Sequence, residues 1–133
     1  MNLVDSSIWI DYFRGMPTAA RDTLRSMLAD GDEVFITEPI IMELLAGAPD
    51  FSAARRLETL VNGLSLLTVE PDLDYRDAAS IYRNVRRSGR TVRKMNDCLI
   101  AAVALRTGAT VVHKDIDFEM IGEVVPLVHR SLR

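Results

Sequence analysis

Four acidic residues, Asp5, Glu43, Asp97 and Asp115, stand where carboxylates are hard to explain as surface decoration. Glu43 is flanked by Ile40, Ile41, Met42, Leu44 and Leu45, and Asp97 opens the apolar run Cys98-Leu99-Ile100-Ala101-Ala102-Val103-Ala104-Leu105. Burying an unpaired carboxylate costs roughly several kcal/mol or forces the group neutral, so such residues call for a cation or strong donors. Carboxylates that meet in one place also repel one another, and a divalent cation removes that conflict. Oxygen ligands with no paired His or Cys suit Mg²⁺ or Mn²⁺ rather than zinc. The chemistry that follows is hydrolysis of a phosphodiester, in which the metal activates water, orients the phosphate and stabilises the leaving oxygen without a protein nucleophile.

The elements needed to gather these residues can be traced along the chain. Asn2 to Val4 reads as a short strand, and Ser6 to Phe13 as a helix ended near Gly15. Pro17 to Ala29 has helical spacing up to Gly31, Val34 to Ile36 is a second strand, and Glu38-Pro39 starts a helix that stops at Gly47. Ser52 is the expected N-cap of a helix through Leu57, Leu60 and Val61, followed by a strand from Leu64 to Val69. Pro71 opens a helix stopped by Ser88-Gly89, another runs from about Asn96 to Arg106 with Gly108 behind it, and Thr110 to His113 is a β-branched strand. Val124 to Val128 is the expected last strand.

Short apolar strands alternating with helices predict a three-layer α/β/α sandwich around a mostly parallel sheet. In such sheets the ligand site lies outside the carboxyl ends of the strands, near a switch in strand order. Asp5 directly follows the first strand and Asp115 follows the segment Thr110 to Lys114, so this rule brings them together. Asp97 shares a helix face with Ile100, Ala101 and Ala104, which aims its carboxylate toward the edge of the core.

The chain has 133 residues, 48% hydrophobic and 26% charged, which suits one domain over residues 1–133 with a real core. A lone cysteine, Cys98, excludes an internal disulfide framework and agrees with a reducing, cytoplasmic setting. No secretory signal is expected, because Asp5 and Asp11 interrupt the N-terminal apolar stretch, and no apolar run approaches the ~20 residues of a membrane span. A net charge of -3 argues against binding nucleic acid through bulk positive charge. Locally the balance reverses: Ala78 to Asn96 holds no acid but carries Arg83, Arg86, Arg87, Arg90, Arg93 and Lys94. That stripe could track a nucleic-acid backbone, with Arg93 or Lys94 nearest the scissile phosphate.

Each residue also has a structural reading. Asp5 could close a strand-to-helix turn with Ser6 or Ser7 capping the helix that follows, Asp97 could be a helix N-cap, Glu43 could pair with an arginine, and Asp115 and Asp117 could be turn residues. The basic stripe could be a solvated helix face, Cys98 a small core residue, and Trp9, Tyr12 and Phe13 core aromatics. His113 and His129 make no convincing metal pair from sequence.

The segments LVDSSIWIDYFRG (Leu3 to Gly15), EPIIMELLAG (Glu38 to Gly47), TVRKMNDCLIAAVAL (Thr91 to Leu105) and VVHKDIDFEMI (Val111 to Ile121) resemble, in order and separation, the PIN-domain family, in particular VapC-type toxins of bacterial toxin–antitoxin pairs. The resemblance implies a parallel-sheet α/β/α fold and Mg²⁺- or Mn²⁺-dependent endonuclease cleavage of RNA such as tRNA or ribosomal RNA. Asp5, Glu43 and Asp97 match the family's three main acidic positions and Asp115 the fourth, with Asp117 as a fifth or a substitute. Ser7 matches the hydroxyl residue after the first acid, and Arg93 the basic residue before the third. A homodimer and a VapB-type antitoxin that covers the acidic site are likewise implied. Two other readings share these features: a housekeeping PIN nuclease of RNA processing, and a receiver-like binding module with acids at its strand ends.

Overall fold

In the computed structural model, which describes residues 1–133, consecutive residues of the central strands are buried together: Leu3 and Val4 in β1 (Asn2–Val4), and Val111 and Val112 in β4 (Thr110–His113). Side chains alternate faces along a strand, so both faces of the sheet are covered. The sheet is completed by β2 (Val34–Ile36), β3 (Ser65–Leu66) and β5 (His129–Ser131), in the order β3-β2-β1-β4-β5. Every pairing is parallel. The strand order reverses between β1 and β4, where Val4 stands level with Val112 and the Asp5 amide donates to the Val112 carbonyl at 2.9 Å.

Seven helices connect the strands: α1 (Ser6–Arg14), α2 (Ala19–Ala29), α3 (Glu38–Ala46), α4 (Phe51–Asn62), α5 (Pro71–Arg87), α6 (Met95–Thr107) and α7 (Ile116–Val124). Helix α1 packs on α2 and α3, whereas α5 packs on α6 and α7. From Asp97 to Ala104 every residue of α6 is buried, so this helix lies inside the molecule rather than on it. Gly15 ends α1 with φ 61, a left-handed turn that a side chain would strain. One hydrophobic cluster of 29 buried residues joins the layers. No helix is long and apolar enough to cross a membrane.

Four local expectations change. The cap of α4 is Asp50, whose side chain accepts from Ala53 N, and not Ser52. The strand expected over Leu64 to Val69 contracts to Ser65–Leu66, because beyond it the backbone bonds side chains: Val69 N donates to Glu38 and Thr68 O accepts from Arg106. Helix α7 arises where no helix was expected, capped by Asp115, whose carboxylate accepts from Asp117 N. Val124 to Val128 is not a strand: Val124 closes α7, Leu127 enters the core, and the edge strand begins at His129. A β-branched run there packs a helix end rather than a sheet.

Candidate active site

Asp5 caps α1. Its Oδ2 accepts from Ser7 N at 3.1 Å and from the Ser7 hydroxyl at 2.6 Å, which leaves Oδ1 buried with no partner in the protein. The capping role and the availability of one oxygen therefore coexist in one side chain. Ser7 Oγ also accepts from Lys114 N at 3.3 Å, so a single hydroxyl ties the end of β1 to the end of β4.

Asp97 lies inside the first turn of α6, whose N-cap is Lys94, so it is not the cap itself. It is fully buried, and neither carboxylate oxygen has a hydrogen-bond partner. Glu43 projects from the half-buried side of α3 with Oε1 also unpartnered, and it pairs with no arginine. Oxygens of Asp5, Glu43 and Asp97 lie within 4.8 Å of one another, and so do oxygens of Asp97, Asp115 and Asp117. All five acids thus converge, with Asp97 common to both groups.

Burial dominates their electrostatics. It raises the Asp5 carboxyl against the Ser7 hydrogen bonds, and together with Asp5 it raises Glu43. Asp97 is pushed up to about 9, first by burial and then by the Asp5 charge. Three acids that resist ionisation, with oxygens lacking donors, are what a hard cation would satisfy: the donor set is carboxylate only, and the three side chains bring oxygens within 4.8 Å of one another.

Asp115 and Asp117 are treated differently. Asp115 Oδ1 accepts from Asp117 N at 3.0 Å and from Arg93 Nη2 at 2.9 Å, and its Oδ2 is 2.9 Å from Lys94 Nζ. Burial alone would raise the Asp115 carboxyl, but the Asp117 amide, Lys94 and Arg93 hold it below its usual range. Asp117, fully buried, accepts the backbone amides of Arg93 and Lys94 on Oδ2 at 3.2 and 3.1 Å. Burial works against the Lys94 ammonium, yet Asp115, Asp97 and Asp5 hold it above the ordinary lysine range.

The basic stripe is exposed along the end of α5 and the turn after it. Arg90 is paired with Glu123, and Arg86 lies 5.8 Å from the Tyr82 ring centroid. Arg83, Arg86 and Arg87 make no ion pair. Cys98 is buried, its thiol pushed up to about 12 by burial and the Asp97 charge, which makes it an inert core residue. Trp9 is core, whereas Phe13 is 38% exposed and, with Ile10, Arg14, Leu44 and Arg56, lines a groove of about 260 Å³ that reaches Glu43.

Two supports escaped the sequence. His113 is buried, its Nδ1 accepts from Asp115 N at 3.0 Å, and its Nε2 lies 3.0 Å from His129 Nδ1. The amide bond fixes the neutral tautomer with the proton on Nε2, so His113 donates to His129. Buried Asp11 on α1 accepts from Thr18 and pairs with Lys114, tethering α1 to the turn that carries Asp115. An acid inside the run Ile8 to Phe13 was the available signal for Asp11. For the histidines there was none, since their meeting depends on β4 and β5 pairing in register.

Known proteins share this arrangement. A family model described as the PIN domain matches residues 3–124. The chain is 46% identical to "Ribonuclease VapC11" of Mycobacterium tuberculosis over 134 aligned residues, covering 100% of both. It is 31% identical to "Ribonuclease VapC19" of the same species, covering 95% of this chain and 98% of the other. Among solved structures, a chain of VapBC2 from Rickettsia felis, bound to a DNA fragment from its promoter, aligns with TM-score 0.78 over 99% of this chain and 98% of that one, at 16% identity. A fold likeness at that identity, joined to full-length identity with named ribonucleases, places the sequence: the chain belongs to the PIN-domain family and, within it, to the VapC ribonucleases.

Proposed function

We propose that this chain, as one domain over residues 1–133, is the toxin of a toxin–antitoxin pair: an endoribonuclease that hydrolyses RNA phosphodiester bonds with Mg²⁺, or Mn²⁺ in its place. The observation that carries this reading is the set of four unpartnered, buried carboxylate oxygens on Asp5, Glu43 and Asp97. These residues would hold the cation, which when bound polarises the scissile phosphate and eases deprotonation of the attacking water. Ser7 keeps Asp5 turned toward its neighbours through the 2.6 Å hydrogen bond. Glu43, half-buried and lining an open groove, is the acid that approaching water meets and that can orient it. Asp115 belongs to the same centre through Arg93 and Lys94, which supply positive charge for the phosphate. Arg86, Arg87 and Arg90 extend that charge along the RNA backbone.

A VapB-type antitoxin is the partner that the VapBC neighbours suggest. The apolar groove beside Glu43, with Phe13 and Ile10 on its wall, gives such a partner a surface from which to cover the acids. A homodimer and a cytoplasmic setting complete the proposal. The decisive experiment is cleavage of total RNA by purified protein, with new 5′ ends mapped. Cleavage that requires Mg²⁺ or Mn²⁺, is lost in chelator and is abolished by Asp5→Asn in a folded protein supports the reading. Undiminished cleavage by that variant, or full activity in excess chelator, defeats it.

A further inference from the structure

The acidic centre has two halves that differ in what they have left to offer a metal. In the first, Asp5 Oδ1, Glu43 Oε1 and both oxygens of Asp97 have no hydrogen-bond partner, with Asp5 and Asp97 fully buried. The second half shares Asp97, but its own two acids are already engaged. Asp115 has one oxygen on Asp117 N and Arg93 and the other on Lys94, and Asp117 has Oδ2 on two backbone amides and Oδ1 3.5 Å from Arg93 Nε. Lys94 Nζ stands 2.9 Å from Asp115 Oδ2 and 3.8 Å from Asp97 Oδ2. It lies between Asp115 and Asp97, the carboxylates that would hold a second cation.

We propose that this centre takes one divalent cation per chain, at Asp5, Glu43 and Asp97, and that the Lys94 ammonium is its second positive charge. The inference rests on the metal-dependent nuclease reading above and refines it. Two-metal sites hold ions roughly 3.5–4 Å apart, one for the attacking and one for the leaving oxygen of a displacement. An ammonium in the second place supplies one charge and three N–H donors. Two of those donors face Asp115 and Asp97, and with a side chain 42% exposed the third is open to a phosphate oxygen arriving from solvent. Asp115 is then a positioning residue that holds the ammonium, and Asp117 fixes the peptide from which Lys94 extends. Charge balance agrees: the group of Asp5, Glu43 and Asp97 has oxygens free for one cation, whereas Asp115 and Asp117 carry Arg93 and Lys94 instead.

Counting ions tests this. Mn²⁺ titrated into the full chain by calorimetry should saturate at one ion per chain, and Lys94→Gln should raise the count to two by vacating the second place. Adding Asp115→Asn to that variant should return it to one. In the RNA assay, Lys94→Gln should lose about 10²–10³-fold in rate at limiting Mn²⁺, as for removal of one preorganised donor, and recover part of the loss at high Mn²⁺. Lys94→Met, which keeps the apolar stem, provides a second variant, with circular dichroism to check folding. Two ions per chain in the unaltered protein, or one in both Lys94 variants, overturns the proposal and leaves the nuclease reading intact. No ion bound by any form removes both.

Discussion

Asp74 and Asp97 sit on packed neighbouring helices, α5 and α6, and both are fully buried, yet they have opposite fates. Burial alone would raise Asp74, but Arg106 reaches it with Nε at 3.0 Å and Nη2 at 2.8 Å, Glu70 N adds a third bond, and its pKa falls. Asp97 finds no donor and is pushed up to about 9. The difference separates an acid that holds the fold together from one that the fold holds ready. Burial does not distinguish them; satisfaction does.

The sharpest way to break the contrast is to neutralise each acid in turn. Asp97→Asn should cut RNA cleavage by ~10³-fold or more, since it removes the carboxylate common to both acid groups, while the metal-free protein melts at a higher temperature than the parent. A loss of activity accompanied by unfolding would place Asp97 with Asp74 instead. Asp74→Ala should do the reverse: it strands the Arg106 guanidinium and the Glu70 amide and should lower stability by roughly 3 kcal/mol in urea titration, with activity per folded molecule unchanged.

A smaller effect appears in the pH dependence of stability. Asp5, Glu43 and Asp97 have folded pKa values above their unfolded ones, so the folded state binds more protons; the stability they contribute is full below about pH 4 and is lost as pH rises toward 9. Asp74 and Asp115 are depressed, so their contribution is present above about pH 4 and is lost in stronger acid. Neutral, buried His113, held near 4, adds the opposite slope up to about pH 6.5, so melting curves in chelator should fall from about pH 7 to about pH 8.5. Mn²⁺ at about a hundred times its Kd should restore roughly 2.7 kcal/mol at pH 8. A melting temperature that rises over that range without metal would show that the acids are not strained.

The strand-end rule found Asp5 and Asp115 because β1 and β4 are short, apolar and adjacent, and charge amid apolar helices found Asp97 and Glu43. What was not legible depends on tertiary pairing. The helix α7 has only nine residues and is set by the Asp115 cap, and its end absorbs the valines that read as a strand. With β5 displaced to His129–Ser131, nothing in the chain's local pattern could bring His129 to His113. Asp117, a fifth acid or a substitute by resemblance, also accepts two backbone amides 23 and 24 residues away, a contact invisible without the fold.

The register of β1 against β4 has a consequence for how the protein comes into being. Val4 pairs with Val112, far along the chain, and the loop before α6 is held by Asp115 and Asp117, which lie beyond it in sequence. A chain being synthesised lacks the middle of its sheet and the clasp on Lys94 until β4 and the start of α7 are available to pair. Asp5 and Asp115 can therefore meet only once that long-range pairing has formed, so the candidate site depends on the slowest kind of contact in the fold.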